Sequence, residues 1–355
     1  MPLSLHNFDS ERTGSKTHFD QTLEDFLPPE QAREALVCSD MDGTMFDNDL
    51  GILVFLEKLS EPTFWTYSTD RFSRLLVPKK YFKTIQEGAN TVVQGLPQAT
   101  CQMILALRHD LINLYALNKR FLDNEEPLTT GHPIANEFAR KMIELDRLFM
   151  EVDGHLSKQF EGELLLRTRF FAGKNKDDVY RLTQEVLERG PNAHNRFRTL
   201  GVHQSNQDET DIQVTADQLQ EITEDRLVKP VDEVRRIITR LTMENLAKGR
   251  VVTTNLREIA EAIVNGSLYR RCLHSDRVVA STLDTKDDRT FRARPSSIPV
   301  FGEEKRRLAE AIAEEKNRQF LVALGDSARN DGPMIKQALR NGGIAVFVGP
   351  TIEEI

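Results

Sequence analysis

The stretch ALVCSDMDGTMFDND, Ala35 to Asp49, decides how the rest of the chain is read. Its apolar opening, Ala35-Leu36-Val37-Cys38, has the length of a buried strand. The run ends in two carboxylates, Asp40 and Asp42, with Gly43-Thr44 bending the chain directly after them. On a strand, side chains at i and i+2 share a face, so both acids are expected at a strand's carboxyl end, where open α/β sheets hold ligands. Two anions that close repel unless a cation or a shared proton relieves them. An oxygen-only site favours a hard cation, and Mg²⁺ is the expected one. An Asp-Gly turn after an apolar run is also ordinary turn chemistry, so this stretch alone does not establish a site. An EF-hand loop fails on register: counted from Asp40, the sixth residue is Met45 instead of Gly and the twelfth is Gly51 instead of Glu.

Composition sets outer bounds. With 355 residues, 39% apolar and 29% charged, the chain suits a globular protein of one large or two moderate domains. No run approaches the roughly 18 to 20 apolar residues that cross a bilayer, so no membrane partner is expected. The net charge of −8 argues against nonspecific nucleic-acid binding, which needs cations against phosphates. Cys38, Cys101 and Cys272 are far apart and form no CxxC pair, which argues against a zinc site or disulfide framework and fits a cytoplasmic protein. The start, residues 1–34, lacks the pattern of a signal peptide and reads as a polar lead-in, with disorder an open alternative. The sequence stops soon after the strand-like GGIAVFVG, which leaves truncation open; the oligomeric state is not legible.

Along the chain, Leu50–Leu59 reads as a helix, and Ser60 to about Tyr81 as irregular, its aromatics Phe64, Trp65, Tyr67 and Phe72 serving packing. Helical spacing recurs over Leu96–Phe121, Ile134–Val152 and Lys176–Leu187. Gly190–Asp225 is polar and turn-rich, an expected surface insertion with one short helix near Ala216–Ile222. From Lys229 the rhythm becomes helix–strand alternation: helix Val231–Leu246, strand Val251–Asn255, helix Leu256–Val264, helix Glu303–Glu315, strand Phe320–Leu324, helix Pro333–Leu339 and strand Gly343–Val348. Such alternation predicts an α/β protein with a Rossmann-like parallel sheet. The expected division is a catalytic core of 35–59 and 228–355, with a mainly helical cap of 60–227 inserted into it.

Three of these strand ends close on polar residues of complementary kinds: Asp40-x-Asp42, Thr254-Asn255, and Gly325-Asp326 followed by Asp331; Lys305 starts the helix before the third. Parallel strands bring such ends to one edge, and the chemistry these groups suit is phosphoryl transfer through an activated carboxylate. In this order, DMDGT, VVTTN, Lys305 and GDSARND resemble the four motifs of the haloacid dehalogenase (HAD) superfamily of phosphohydrolases. The resemblance implies Asp40 as nucleophile and metal ligand, and Asp42 as general acid/base with its backbone carbonyl on Mg²⁺. It implies Thr254 on the phosphoryl group, Lys305 balancing charge, Asp326 as metal ligand and Asp331 supporting that shell. Thr253 competes with Thr254, which is preferred because the family often shows Thr-Asn at this turn. Gly43, Thr44 and Asn255 are expected substrate-binding positions. The second aspartate moves the reading away from dehalogenases and toward phosphate esters.

A helical cap between the first and second motifs is similar to that of phosphoserine phosphatases, although this one is longer and Gly190–Asp225 has no counterpart. Asp49 stands where those enzymes carry a glutamate for the substrate's amino group, and helix capping is an equal alternative for it. Cap arginines Arg71, Arg74, Arg167 and Arg169 are candidates for an anionic substrate, with solvation or surface pairing the commoner fate. The expectation is a Mg²⁺-dependent phosphatase acting on a small phosphorylated metabolite. A phosphoprotein phosphatase, phosphotyrosine included, and a non-catalytic interaction protein of the same fold stay open.

Overall fold

A computed structural model describes residues 2–4, 27–46, 50–60, 62–93, 96–123, 133–156, 166–189, 231–244, 247–266, 269–270, 272–273, 277–287 and 289–348. In chain order, a strand β1 (Pro2–Ser4), a helix α1 (Pro29–Glu34) and strand β2 (Ala35–Ser39) come first. Helices α2 (Leu50–Ser60), α3 (Thr69–Leu76), α4 (Lys79–Asn90), α5 (Gln98–Asp123), α6 (Pro133–Leu156), α7 (Leu166–Arg169) and α8 (Lys176–Arg189) follow. Next come α9 (Asp232–Thr239), β3 (Lys248–Leu256), α10 (Arg257–Val264) and the short strands β4 (Val278–Ser281), β5 (Leu283–Lys286) and β6 (Thr290–Pro295). The last described elements are α11 (Glu303–Glu315), β7 (Gln319–Gly325), α12 (Gly332–Arg340) and β8 (Ile344–Phe347). The expected Gly190–Asp225 insertion, with its short helix, lies outside the described residues.

The chain divides into two compact units. The first, a sheet unit, comprises residues 1–49, 228–282 and 297–355; the second, a helical unit, comprises 50–227 and 283–296. Helix α2, which the sequence reading places with the core, groups with the helices, as does the β5–β6 segment.

The sheet unit is α/β, with a six-stranded sheet in the order β1-β8-β7-β2-β3-β4 whose neighbouring strands all pair parallel. β2 lies at the centre, and all five of its residues are buried, as a parallel strand covered on both faces requires. Its Val37 stands opposite Gly249 of β3 and Val322 of β7. From β2 the chain builds one side through β3 and β4, then crosses back to build the other through β7 and β8. The strand order therefore reverses at β2, and a crevice opens at such a switch point. Leu36, Cys38, Val252, Ala323, Ala345 and Phe347 of the sheet pack with Ala309, Met334 and Ile335 of α11 and α12. Each of the larger ones, Leu36, Val252, Phe347, Met334 and Ile335, contributes about 1.5–3 kcal/mol when withdrawn from water. Cys38 belongs to this core, and burial pushes its thiol up to about 12.

The helical unit has its own core around the aromatics of the 62–72 stretch. Phe72 stacks on Tyr115 with ring centroids 4.0 Å apart, and Trp65 stacks on the same ring at 5.3 Å. The Tyr115 hydroxyl lies 3.2 Å from the Phe64 carbonyl and 3.1 Å from that of Tyr67. The region expected to be irregular up to Tyr81 contains α3 and the start of α4. Ser68 caps α3 by accepting the Arg71 N–H, and α4 buries Tyr81, Ile85 and Ala89 at helical spacing. The β5–β6 hairpin, absent from the sequence reading, adds its second strand to the 173–176 segment. Gly173 N–H donates to Phe291 O at 2.8 Å, and Phe291 N–H donates to Lys174 O at 2.9 Å. Among the described residues, no helix is long and apolar enough to cross a membrane.

Candidate active site

The site lies at the carboxyl ends of β2, β3 and β7. Asp40 is the first residue beyond β2, and its N–H donates to Leu324 O at 2.9 Å, prolonging the ladder to β7 by one bond. Asp326 follows β7 at the same edge. Carboxylate oxygens of Asp40, Asp326 and Asp331 lie within 4.8 Å of one another. Lys305, from the first turn of α11, reaches into this cluster: its Nζ is 2.8 Å from Asp40 Oδ1 and 2.7 Å from Asp331 Oδ1. Lys305 and Asp331 are fully buried, Asp40 nearly so, and Asp326 partly.

These groups do different work. Asp331 accepts the N–H groups of Asp326 and Ser327 at 3.1 and 3.0 Å on Oδ2 while Lys305 takes Oδ1. It thereby fixes the loop after β7, and Gly325 is obligatory because a Cβ there would stand 2.4 Å from the Asp331 Cβ. Asp326 is held from the β2 side. Thr44 donates its hydroxyl to Asp326 Oδ1 at 3.1 Å, and a Cβ on Gly43 would lie 2.1 Å from Asp326 Oδ2. Gly43 also has φ +68°, the left-handed region that glycine occupies freely.

The turn from Met41 to Phe46 is closed by Met45 N–H on Met41 O at 2.8 Å. It is pinned from outside by two donors to the Met45 carbonyl, the Val231 N–H and the Tyr269 hydroxyl, each at 3.0 Å. β2 ends at Ser39, so Asp42 lies in this turn, beyond the strand. The Asp42 carboxylate accepts a hydrogen bond from the Asn255 side-chain amide. On β3, buried Thr253 turns its hydroxyl to accept the Asn255 N–H at 3.2 Å. Thr254 donates to Val300 O at 2.9 Å, with Asn330 Oδ1 at 3.4 Å. Asn330, missed in the sequence reading, also accepts the Gly302 N–H at 3.3 Å. Asp49 and the side chain of Arg167 lie outside the described residues. In the helical unit Arg74 pairs with Asp70, Arg71 lies over the Tyr67 ring, and buried Arg169 donates to Leu76 O.

Three acids share one cation, and the charge balance shows it. Burial and the neighbouring Asp331 push Asp40 up to about 7, although Lys305 pulls the other way. Asp326 is raised well above the ordinary carboxylate range by burial, Asp331 and Asp40. Burial works against the charge of Lys305, but Asp331 and Asp40 outweigh it and raise its pKa. An all-oxygen set in which Asp40 and Asp326 are pushed up by burial and by neighbouring acids fits a hard divalent cation.

No family model matches the chain, and no curated protein sequence matches it. Among solved structures it is similar to a conserved protein of unknown function from Anaerococcus prevotii, at 14% identity and TM-score 0.57, over 86% of this chain and 77% of that one. That likeness shows a shared fold. A HAD family hydrolase from Salmonella enterica serovar Typhi aligns at 11% identity and TM-score 0.37, over 88% of this chain and 62% of that chain. Cytosolic 5'-nucleotidase IIIB bound to cytidine aligns at 13% identity and TM-score 0.37, over 98% and 85%. The class that the coordinates define is an α/β protein with a Rossmann-like parallel sheet and an inserted helical unit. Its acids gather at the switch point of that sheet.

Proposed function

We propose that the chain is a Mg²⁺-dependent phosphomonoesterase of the haloacid dehalogenase type, acting on a small phosphorylated metabolite in the cytoplasm. The observation that carries this reading is the buried Asp40 carboxylate at the end of β2, 2.8 Å from Lys305 Nζ and beside Asp326 and Asp331. Asp40 and Asp326, with the Asp42 backbone carbonyl and with Asp331 behind, would hold Mg²⁺, which supplies positive charge to the phosphoryl oxygens.

Asp40 attacks phosphorus through one carboxylate oxygen, forming an aspartyl-phosphate as the ester P–O bond breaks. Asp42 gives its proton to the departing alkoxide, so the alcohol leaves neutral. Asp42 then takes a proton from water as that water displaces Asp40 from phosphorus, releasing inorganic phosphate and restoring both acids. Asn255, bonded to Asp42, holds that carboxyl in one orientation through the two proton transfers. Lys305 balances Asp40 while charge moves, and the Thr254 hydroxyl turns its one proton from Val300 O to the transferring phosphoryl group. Gly43 and Thr44 shape the turn around it.

The test is hydrolysis of p-nitrophenyl phosphate with Mg²⁺. Turnover that disappears with EDTA and in Asp40→Asn is expected. A wild-type chain that binds Mg²⁺ yet turns over nothing across a broad phosphate panel would sink the enzyme reading. A preference for phosphopeptides over small phosphorylated metabolites would overturn the substrate class alone.

A further inference from the structure

The ladder between β3 and β4 runs Val251↔Val278, Val252↔Val279 and Thr253↔Ala280, then resumes at Leu256↔Ser281. Thr254 and Asn255 stand outside that pairing, and the pairing of β3 with β2 has already ended at Val251. A bulge of this kind re-aims side chains beside a site and leaves backbone groups in need of another partner. At Asn255 that partner is the Thr253 hydroxyl, which accepts the Asn255 N–H at 3.2 Å. With its backbone held in this way, Asn255 directs its side-chain amide at Asp42 and donates to Oδ2 of that carboxylate. Thr253 and Asn255 are both buried, so water does not readily replace either bond once it is lost. The first bond uses only a lone pair of the Thr253 oxygen, and the second only an amide proton of Asn255. Neither draws on the proton that Asp42 transfers.

We propose that Thr253 is a positioning residue for the general acid, holding the Asp42 carboxyl in place through Asn255. This rests on the phosphoryl-transfer reading, because only there does the place of that carboxyl matter to a reaction. In that reaction the Asp42 O–H bond breaks as its proton joins the ester oxygen, which takes the electron pair of the breaking P–O bond. Such a transfer needs the carboxyl within hydrogen-bond reach of that oxygen, and a small displacement weakens it steeply. A leaving group that departs readily as an anion has little need of the proton, whereas a poorer one depends on it. A purely structural role for Thr253 would affect both kinds of ester alike, and so would a direct contact between Thr253 and the phosphoryl group.

The experiment uses the full chain with Mg²⁺ and two esters of similar shape, p-nitrophenyl phosphate and phenyl phosphate, the second with the poorer leaving group. kcat/KM is compared, because it covers the steps up to the aspartyl-phosphate, where the leaving group departs, and excludes the later hydrolysis common to both. Thr253→Val is expected to raise the ratio of kcat/KM for p-nitrophenyl phosphate over phenyl phosphate about three- to tenfold, the worth of one hydrogen bond. Thr253→Ser, which keeps the hydroxyl, should hold that ratio within about twofold of wild type. Thr253→Val added to Asn255→Ala should leave the ratio within about twofold of that in Asn255→Ala alone. An unchanged ratio in Thr253→Val overturns the proposal, whether both esters lose activity equally or neither does. A further rise in the double variant overturns it too, because the effect would then bypass Asn255. If Thr253→Val does not fold, Thr253→Cys, a weaker acceptor, replaces it, and an unchanged ratio there has the same force. A wild-type chain without activity on either ester defeats the phosphoryl-transfer reading and this proposal with it. Normal wild-type turnover with an unchanged ratio in the variant defeats only the role of Thr253.

Discussion

Lys305 Nζ lies 2.8 Å from Asp40 Oδ1 and 2.7 Å from Asp331 Oδ1, with the lysine wholly out of solvent. A buried cation of this kind is hard to remove, because the acids it neutralises stay behind in a medium that penalises charge. Lys305→Met is therefore expected to lower stability by about 3–5 kcal/mol, measured by chemical denaturation of the metal-free protein. Adding Asp331→Asn to Lys305→Met should recover part of that loss. A Lys305→Met protein as stable as wild type would contradict the burial and pairing described here.

The pH dependence has a definite sign. The folded-state pKa of Asp40, about 7, lies above its ordinary 3.8, so the folded chain holds this proton longer than the unfolded chain does. Its contribution to stability is fully present below 3.8 and is lost as pH rises through about 7. Asp326, raised for related reasons, adds to the same trend. Mg²⁺ favours the ionised acids, so the rise in Tm on adding Mg²⁺ should grow across this window and level off above it. Thermal unfolding over a pH series, with and without Mg²⁺, measures this directly. A Mg²⁺ increment independent of pH would contradict it.

Gly43 has no room for a side chain. Gly43→Ala places a methyl where Asp326 Oδ2 stands and forces an L-residue to φ +68°. Displacing one ligand's support typically costs about ten- to a hundredfold in metal affinity, and that is the expected loss in Mg²⁺ binding by calorimetry. Wild-type affinity in Gly43→Ala would show that Asp326 does not contribute to the metal site.

Asn118 in α5 offers an opposite case. It is wholly buried, and among the described residues neither its Nδ2 nor its Oδ1 has a hydrogen-bond partner. An unsatisfied buried amide costs about 1–3 kcal/mol, so Asn118→Leu, close in size, should raise the denaturation midpoint of the helical unit. A lowered midpoint would mean that the carboxamide is satisfied by water or a ligand.

The sequence made much of this site legible because short apolar runs ended on acids at Asp40 and Asp326, and strand ends of that kind gather at one sheet edge. Lys305 was legible only through its motif: α11 also carries Arg306 and Arg307, and only the folded helix shows which cation is buried. The paths of Asp42 and Thr254 were not legible. Asp42 lies in the turn beyond a strand that stops at Ser39, and its partner Asn255 comes from β3. Asn330 had a signal, an amide immediately before Asp331, but its use depends on Gly302 and Thr254 arriving from elsewhere in the chain. Helix α4 was hidden by treating the aromatic stretch as irregular, although Tyr81, Ile85 and Ala89 keep helical spacing. The β5–β6 hairpin carries no clear strand signal, because its strands are short and mostly polar.

The central place of β2 has a consequence for the order of assembly. Helices α2 to α6 follow one another closely, and α5 packs on both α4 and α6, so much of the helical unit can condense soon after synthesis. β2 is made earlier than all of them, yet its neighbours β3 and β7 are made long afterwards. Until they emerge, Ala35–Ser39 is an apolar strand with both edges open, a state prone to wrong pairing between chains. The strand that leads into Asp40 thus stays unpaired until β3 and β7 have been made.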